Sequence, residues 1–388
     1  MKQFNFHQTT EIVFGSGRAA EAGEIVLKYG KRCLMVTTPD APLKPLFDRV
    51  RNLLTSAGVE VAHFDGVIPN PTTETSAAGA KMAIEHNADV ILGLGGGSSM
   101  DAAKAIAVEA SHEGSAWDYL FYKEPAPDPS KVLPVVAIST TSGTGSQVTQ
   151  VSVITNPAER DKSALYNPVI FPKVALVDPE LMLTLPVAVS APTGFDVFCH
   201  AFESMINPGT GAYVDLMARE AINLVAEYLP KVLDNGSDLI AREKMAWADT
   251  LAGLCIASAG VTLPHGMGMA VGGMYPHVAH GEALAILYPA CTRFTADFAI
   301  DQYAFMARAL NPELKHSSDA EAAHMAHEEI VTFLKSIELF KGLKDVGMPE
   351  EEMEALAKQS MVLPDFQGNP RVASYEDMLE LVKEAYFQ

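Results

Sequence analysis

The segment "TGFDVFCHAFE", from 193, sets Asp196 and His200 four residues apart in a stretch of helical period. Side chains at i and i+4 leave one helix face, so this carboxylate and this imidazole can meet one ion. Around them stand Phe195, Val197, Phe198, Cys199, Ala201 and Phe202, an apolar setting where an unpartnered aspartate is costly; that favours a ligand over a solvated Asp–His hydrogen bond. A second stretch, "PHGMGMAVGGMYPHVAHGEA" from 264, carries His265, His277 and His280. Two of these three, added to Asp196 and His200, give one carboxylate and three imidazoles. That set suits Fe(II) or Zn(II) and leaves a position for a substrate oxygen. His324 and His327 have similar spacing but lie beside Glu321, Glu328 and Glu329, and read as a solvated face. His7, His63, His86, His112 and His316 are isolated and take no role.

Two loops offer a different chemistry. "ILGLGGGSSMDAAKAIA", from 91, runs from strand to loop to helix, with Gly93, Gly95, Gly96 and Gly97 in the turn and Ser98 near the helix start. Glycines let backbone donors approach a pyrophosphate, and the helix N-terminus adds partial positive charge. Ser98 stands where G-x-G-x-x-G has its third Gly, and a tight turn alone also explains such glycines. The second loop, "STTSGTGSQ" from 139, follows another apolar run and presents Thr140, Thr141 and Thr144. Two such loops at strand carboxyl ends suit a nucleotide lying across an open α/β sheet. The cofactor-binding candidates are Gly95, Gly96, Gly97, Ser98, Asp101, Thr140, Thr141 and Thr144.

The elements that position these residues change character along the chain. Up to about residue 178 the apolar runs "RCLMVTT", "VEVAHF", "ADVILGLGGG", "LPVVAIST" and "KVALVDP" read as parallel strands, several with amphipathic crossovers between them. Beyond "DPELMLTLP" the periods are long and helical, as in "YVDLMAREAINLVAEYLPKVL" from 213. The reading is an α/β nucleotide-binding domain with a parallel sheet over 1–180, followed by an all-α domain over 181–388.

A length of 388 residues favours two domains over one. With 28 basic against 48 acidic residues the net charge is -20, which argues against nucleic acid and anionic lipid as partners. Cys33, Cys199, Cys255 and Cys291 form no CxxC pair, and with an N-terminal stretch lacking a signal-like apolar core the expected compartment is the cytoplasm. The stretch Thr250 to Tyr275 lacks Asp, Glu, Lys and Arg, but its glycines, Pro264 and His265 point to a buried helix pair, not a membrane span.

These motifs, together with the early "VFGSG", "LVDPELMLTLP" and "HGEALAILYP", resemble the iron-dependent alcohol dehydrogenases, whose fold is shared with dehydroquinate synthase and glycerol dehydrogenase. The resemblance covers nearly the whole chain. It implies a divalent metal in a cleft between the domains, hydride exchange between NAD or NADP and an alcohol or aldehyde, and a homodimer or larger homo-oligomer. It assigns the metal to Asp196, His200, His265 and His280, with Fe(II) first and Zn(II) as alternative, and leaves His277 outside.

The chain departs from the family pattern at Met269, where many members keep a histidine near the nicotinamide, and at Gln147, usually Glu. At Thr38 many NAD users have Asp, and Asp40 follows two residues later. His277 precedes His280 by three, so in a helix both rings would share a face; His277 is then expected either to carry a proton to solvent in place of the imidazole lost at Met269 or merely to hydrogen-bond in the wall of the cleft. Phe195, Phe198 and Met269 either mark a small or medium aliphatic substrate or belong to the core, with hydroxy-acid, diol and phosphonate-pathway substrates as alternatives. A lyase or cyclase of the dehydroquinate synthase kind is the rival activity. It handles a multiply charged substrate, and no Lys or Arg cluster stands at 193–207 or 260–290.

Overall fold

The computed structural model describes residues 3–388. They form two compact units, Gln8–Leu185 and Pro186–Gln388, the latter joined by residues 3–7. The sequence reading set the boundary at 180/181; the change of unit falls at Leu185 and Pro186.

In the first unit the elements are β1 (Glu11–Phe14), α1 (Ala22–Leu27), β2 (Arg32–Val36), α2 (Lys44–Ser56), β3 (Glu60–Phe64), α3 (Thr73–Glu85), β4 (Val90–Gly95), α4 (Gly97–Glu109), β5 (Val135–Ser139), β6 (Val151–Asn156), β7 (Asp161–Tyr166) and β8 (Val174–Val177). Six strands make one sheet in the order β1-β8-β5-β4-β2-β3, every pair parallel. Side chains alternate across a strand, so Cys33, Met35, Leu92 and Leu94 enter one core while Leu34, Val36 and Ile91 enter the other. Burial on both faces is why β4 reads as a continuous apolar run.

The five strand-like runs of the sequence are β2, β3, β4, β5 and β8. The reading missed β1, which has four residues, and the antiparallel pair β6–β7, whose partly exposed strands carry polar and charged residues in "DKSALY". From β2 the chain moves out to β3, returns to β4, and continues to β5 on the other side. The order therefore reverses between β2 and β4, and the carboxyl ends of β2, β4 and β5 lie side by side.

The second unit holds nine helices and, among the described residues, no strand: α5 (Val187–Ile206), α6 (Ala212–Asp234), α7 (Leu239–Ala259), α8 (Leu263–Met274), α9 (His280–Thr295), α10 (Ile300–Leu310), α11 (Asp319–Ser336), α12 (Met353–Gln359) and α13 (Tyr375–Phe387). From Ser190 onward α5 is buried along nearly its whole length, packed against α6, α7 and α9. Helices α7 and α8 meet at a bend of 101° around Gly260, and no single helix among the described residues is long and apolar enough to cross a membrane.

Candidate metal centre and cofactor loops

Asp196 and His200 leave α5 one turn apart, and both are buried. His265 comes from the first turn of α8, whose start is set by Pro264 after the break at Gly260–Thr262. His280 opens α9. Asp196 Oδ1 lies at their common centre, 3.5 Å from His200 Nε2, 3.5 Å from His265 Nε2 and 3.9 Å from His280 Nε2. The ligand atoms of Asp196, His265 and His280 all lie within 4.8 Å of one another.

Two ligands at about 2.1 Å from one ion at a tetrahedral angle stand about 3.4 Å apart, close to these separations. The atoms also lack better uses. Asp196 Oδ1 and His265 Nε2 are buried and make no hydrogen bond of normal length, an arrangement that costs free energy unless a cation or proton sits among them. The donor set therefore fits a divalent ion.

Electrostatics agree with the geometry. Burial alone pushes the Asp196 carboxyl up, but His200, His280 and His265 outweigh it and hold it down at about 2. Burial opposes charge on His265, yet Glu203 and Asp196 carry it up to about 10. Protons and a metal ion thus compete for the same lone pairs. Behind His265 stands a residue the sequence reading gave no role. Glu203, fully buried on α5, has Oε1 2.6 Å from His265 Nδ1, while its Oε2 accepts from the Thr262 amide at 2.8 Å and the Thr262 hydroxyl at 3.2 Å. A charged residue at the end of an apolar helical run, seven after Asp196, was the available signal.

His277 departs from expectation. α8 ends at Met274, Tyr275–Ala279 is not helical, and exposed His277 has Nε2 2.9 Å from the Val346 carbonyl oxygen. The shared helix face on which its proton-relay role depended does not exist, because Pro276 lies between two helices. For Phe195 and Phe198 the structure decides between the two readings in favour of the core. They are fully buried and pack on Tyr288 and Phe333, so they belong to the core and say nothing about substrate size.

In the first unit, Gly95 at the end of β4 has φ 149°, a conformation that suits glycine, and a Cβ there would stand 2.5 Å from Ser99 Oγ. Gly96 precedes α4 in the cap position without a side-chain cap, and its carbonyl accepts from the Ser99 and Met100 amides at 3.1 and 3.2 Å. Gly96, Gly97 and Ser98 are half-buried. The threonine loop packs directly on them: a Cβ on Gly96 would come 3.2 Å from Thr141, and one on Gly97 2.5 Å from Thr144 Cγ2. Thr141 and Thr144 are half-buried, whereas Thr140 is buried and its amide donates to the Gly95 carbonyl. Beside them at the end of β2, Thr38 is half-buried and Asp40 exposed.

Asp101 was expected among the residues touching cofactor, but its oxygens are engaged inside the unit. Oδ1 accepts from Ser146 Oγ at 2.5 Å and Oδ2 from the Val153 amide at 3.0 Å. Fully buried Lys104, one turn on, donates to the carbonyls of Ser146 and Val151 at 2.7 and 2.6 Å. Burial draws its amine down to about 8 against the pull of Asp101. Asp101 and Lys104 thus tie α4 to the far end of the threonine loop, a scaffolding role that fixes one loop on the other.

A parallel sheet with two polar loops at adjacent carboxyl ends, and a helical unit with one aspartate among three histidines, define the class of metal-dependent enzymes that use a dinucleotide. The comparisons with known proteins narrow this. Residues 9–179 match the family model for iron-containing alcohol dehydrogenase, and residues 190–386 match that for the C-terminal part of the Fe-containing alcohol dehydrogenase family. The chain is 34% identical to an NAD-dependent methanol dehydrogenase of Bacillus methanolicus over 98% of its own length and 99% of that protein's. It is 32% identical to a 1,3-propanediol dehydrogenase of Klebsiella pneumoniae, over 99% of each. Among solved structures, the archaeal halo-thermophilic Red Sea brine pool alcohol dehydrogenase ADH/D1 superposes with a TM-score of 0.93 at 35% identity, covering 99% of this chain and 100% of that one. The chain belongs to the iron-containing alcohol dehydrogenase family, and is a metal-dependent oxidoreductase that moves hydride between NAD and an alcohol or aldehyde.

Proposed function

We propose that Asp196, His200, His265 and His280 hold one ion, Fe(II) in preference to Zn(II), and that the substrate is a small or medium alcohol or aldehyde. The observation that carries this is the convergence of three imidazoles on Asp196 Oδ1, with Asp196 Oδ1 and His265 Nε2 lacking normal hydrogen bonds. Iron is favoured by the family, and the substrate size by relatives named for methanol and 1,3-propanediol. When bound, the ion supplies a Lewis acid that eases alcohol deprotonation and polarises an aldehyde carbonyl. The chain's part is positional: Asp196 contributes the anionic ligand, and α5, α8 and α9 present His200, His265 and His280 to it.

The first-turn amides of α4 and Ser98 hold the pyrophosphate, while Thr141 and Thr144 bound the same pocket. NAD is preferred to NADP, since Asp40 and Thr38 at the end of β2 offer no cation for a 2′-phosphate and Asp40 would repel one. Four free, buried cysteines accord with a reducing cytoplasm, and a homo-oligomer is carried forward from the resemblance. The test is a panel of short alcohols and aldehydes with NADH and NADPH on iron-loaded protein without oxygen, read by cofactor absorbance. Stoichiometric NADH oxidation with small aldehydes is expected. Consumption of a phosphorylated substrate without net cofactor turnover would instead establish the lyase or cyclase reading.

A further inference from the structure

Glu203 has no place in the chemistry described so far, yet it is a fully buried acid beside the metal-site histidines. Burying a carboxylate is costly unless every oxygen is used. Both are: Oε1 meets His265 Nδ1 at 2.6 Å, and Oε2 takes the amide and hydroxyl of Thr262 at 2.8 and 3.2 Å. Thr262 is the cap residue of α8, and His265 lies three residues further on, so one carboxylate grips both the start of that helix and the ring it presents. The remaining ring nitrogen, Nε2, points to Asp196 Oδ1 at 3.5 Å and makes no normal hydrogen bond.

We infer that Glu203 is a positioning residue for the metal centre, holding the His265 proton on Nδ1 and thereby reserving Nε2 for the ion. The inference rests on the metal site proposed above. It has a charge side as well as a geometric one. A divalent cation with Asp196 alone leaves a buried excess of one positive charge, and Glu203 cancels it at the distance of a single imidazole. An amide in its place cannot do either job fully. Glutamine keeps one acceptor oxygen, so either Thr262 or His265 Nδ1 loses its partner, and the negative charge is lost entirely.

The test is metal affinity, measured by chelator competition with Zn(II) on metal-stripped protein, alongside the melting temperature of the stripped form. Glu203→Gln is expected to bind about 10–100-fold more weakly, the usual effect of removing a partner behind a ligand, with melting within a few degrees of wild type. Thr262→Val, which loses only a hydroxyl donor, should bind as wild type does. A folded Glu203→Gln variant with wild-type affinity overturns the inference, as does equal weakening in Thr262→Val, which would reduce Glu203 to a helix anchor.

If Glu203→Gln does not fold, nitrogen NMR of Zn(II)-loaded wild type decides. A protonated Nδ1 and metal-bound Nε2 on His265 support the inference, and metal bound through Nδ1 overturns it. Failure of the metal reading itself looks different: wild type would bind no ion, or Asp196→Ala would bind as tightly as wild type.

Discussion

Gly281, in the first turn of α9, rests on the backbone of α5 at Pro192: a Cβ on Gly281 would stand 1.9 Å from the Pro192 carbonyl oxygen. No side-chain rotation relieves a clash with backbone, so any larger residue must push the helices apart. His280 precedes Gly281, and its ring reaches Asp196 across this contact. Gly281→Ala is therefore expected to destabilise the protein by about 1–3 kcal/mol, the cost of overpacking, and to weaken metal binding on the order of tenfold. Thermal melting and chelator competition read the two effects, and wild-type values for both would show that the close approach does not position His280.

The two loops of the first unit make a parallel case. Gly97 packs where a Cβ would meet Thr144 Cγ2 at 2.5 Å, while Asp101 and Lys104 hold the far end of the threonine loop. Gly97→Ala should therefore move Thr144 and the first-turn amides together. The expected loss is about 1.5 kcal/mol of cofactor binding, close to tenfold in Kd for NADH, with metal content unchanged. Fluorescence titration of NADH checks it, and an unaltered Kd would mean the loops do not contact the cofactor.

Much of this was legible in the sequence, and the misses have physical causes. Asp196 and His200 declare themselves because a helix repeats its face every turn, and β2, β4, β5 and β8 because strands buried on both faces must be apolar throughout. The hairpin β6–β7 lacks that signal, being partly exposed. Glu203 and Lys104 are charged, and local sequence does not tell that partners from other elements, Thr262 and His265 for one, Ser146 and Val151 for the other, will bury them. The helix face expected to join His277 to His280 does not form, because Tyr275–Ala279 is not helical.

With its ring on the Val346 carbonyl, His277 stands outside the metal cluster. His277→Ala should keep its metal and show the wild-type pH–rate profile, contrary to the proton-relay expectation. A fall in turnover confined to neutral pH, recovering at higher pH, would restore the relay.

Asp365 lies against the His265–Gly266 turn, its β-carbon 3.2 Å from where Gly266 would carry one. Burial pushes its carboxyl up to about 6, with Glu203 adding to the rise and His265 opposing it. The folded value is thus above the unfolded one, about 3.9, so its contribution to stability is full below that and declines as pH rises through 6. Asparagine never ionises. Stripped Asp365→Asn protein should gain melting temperature relative to wild type between pH 5 and pH 7.5, and a difference that stays flat with pH would show that the carboxyl titrates normally.

The central claim is that Asp196 is the anionic ligand around which His200, His265 and His280 gather one ion. Elemental analysis of wild type and Asp196→Ala, purified side by side without oxygen and matched for folded fraction, tests it most directly. The account predicts about one iron or zinc per wild-type chain and essentially none in the variant, because three neutral imidazoles lose the charge that offsets a buried dication. Full metal occupancy in folded Asp196→Ala protein would contradict it.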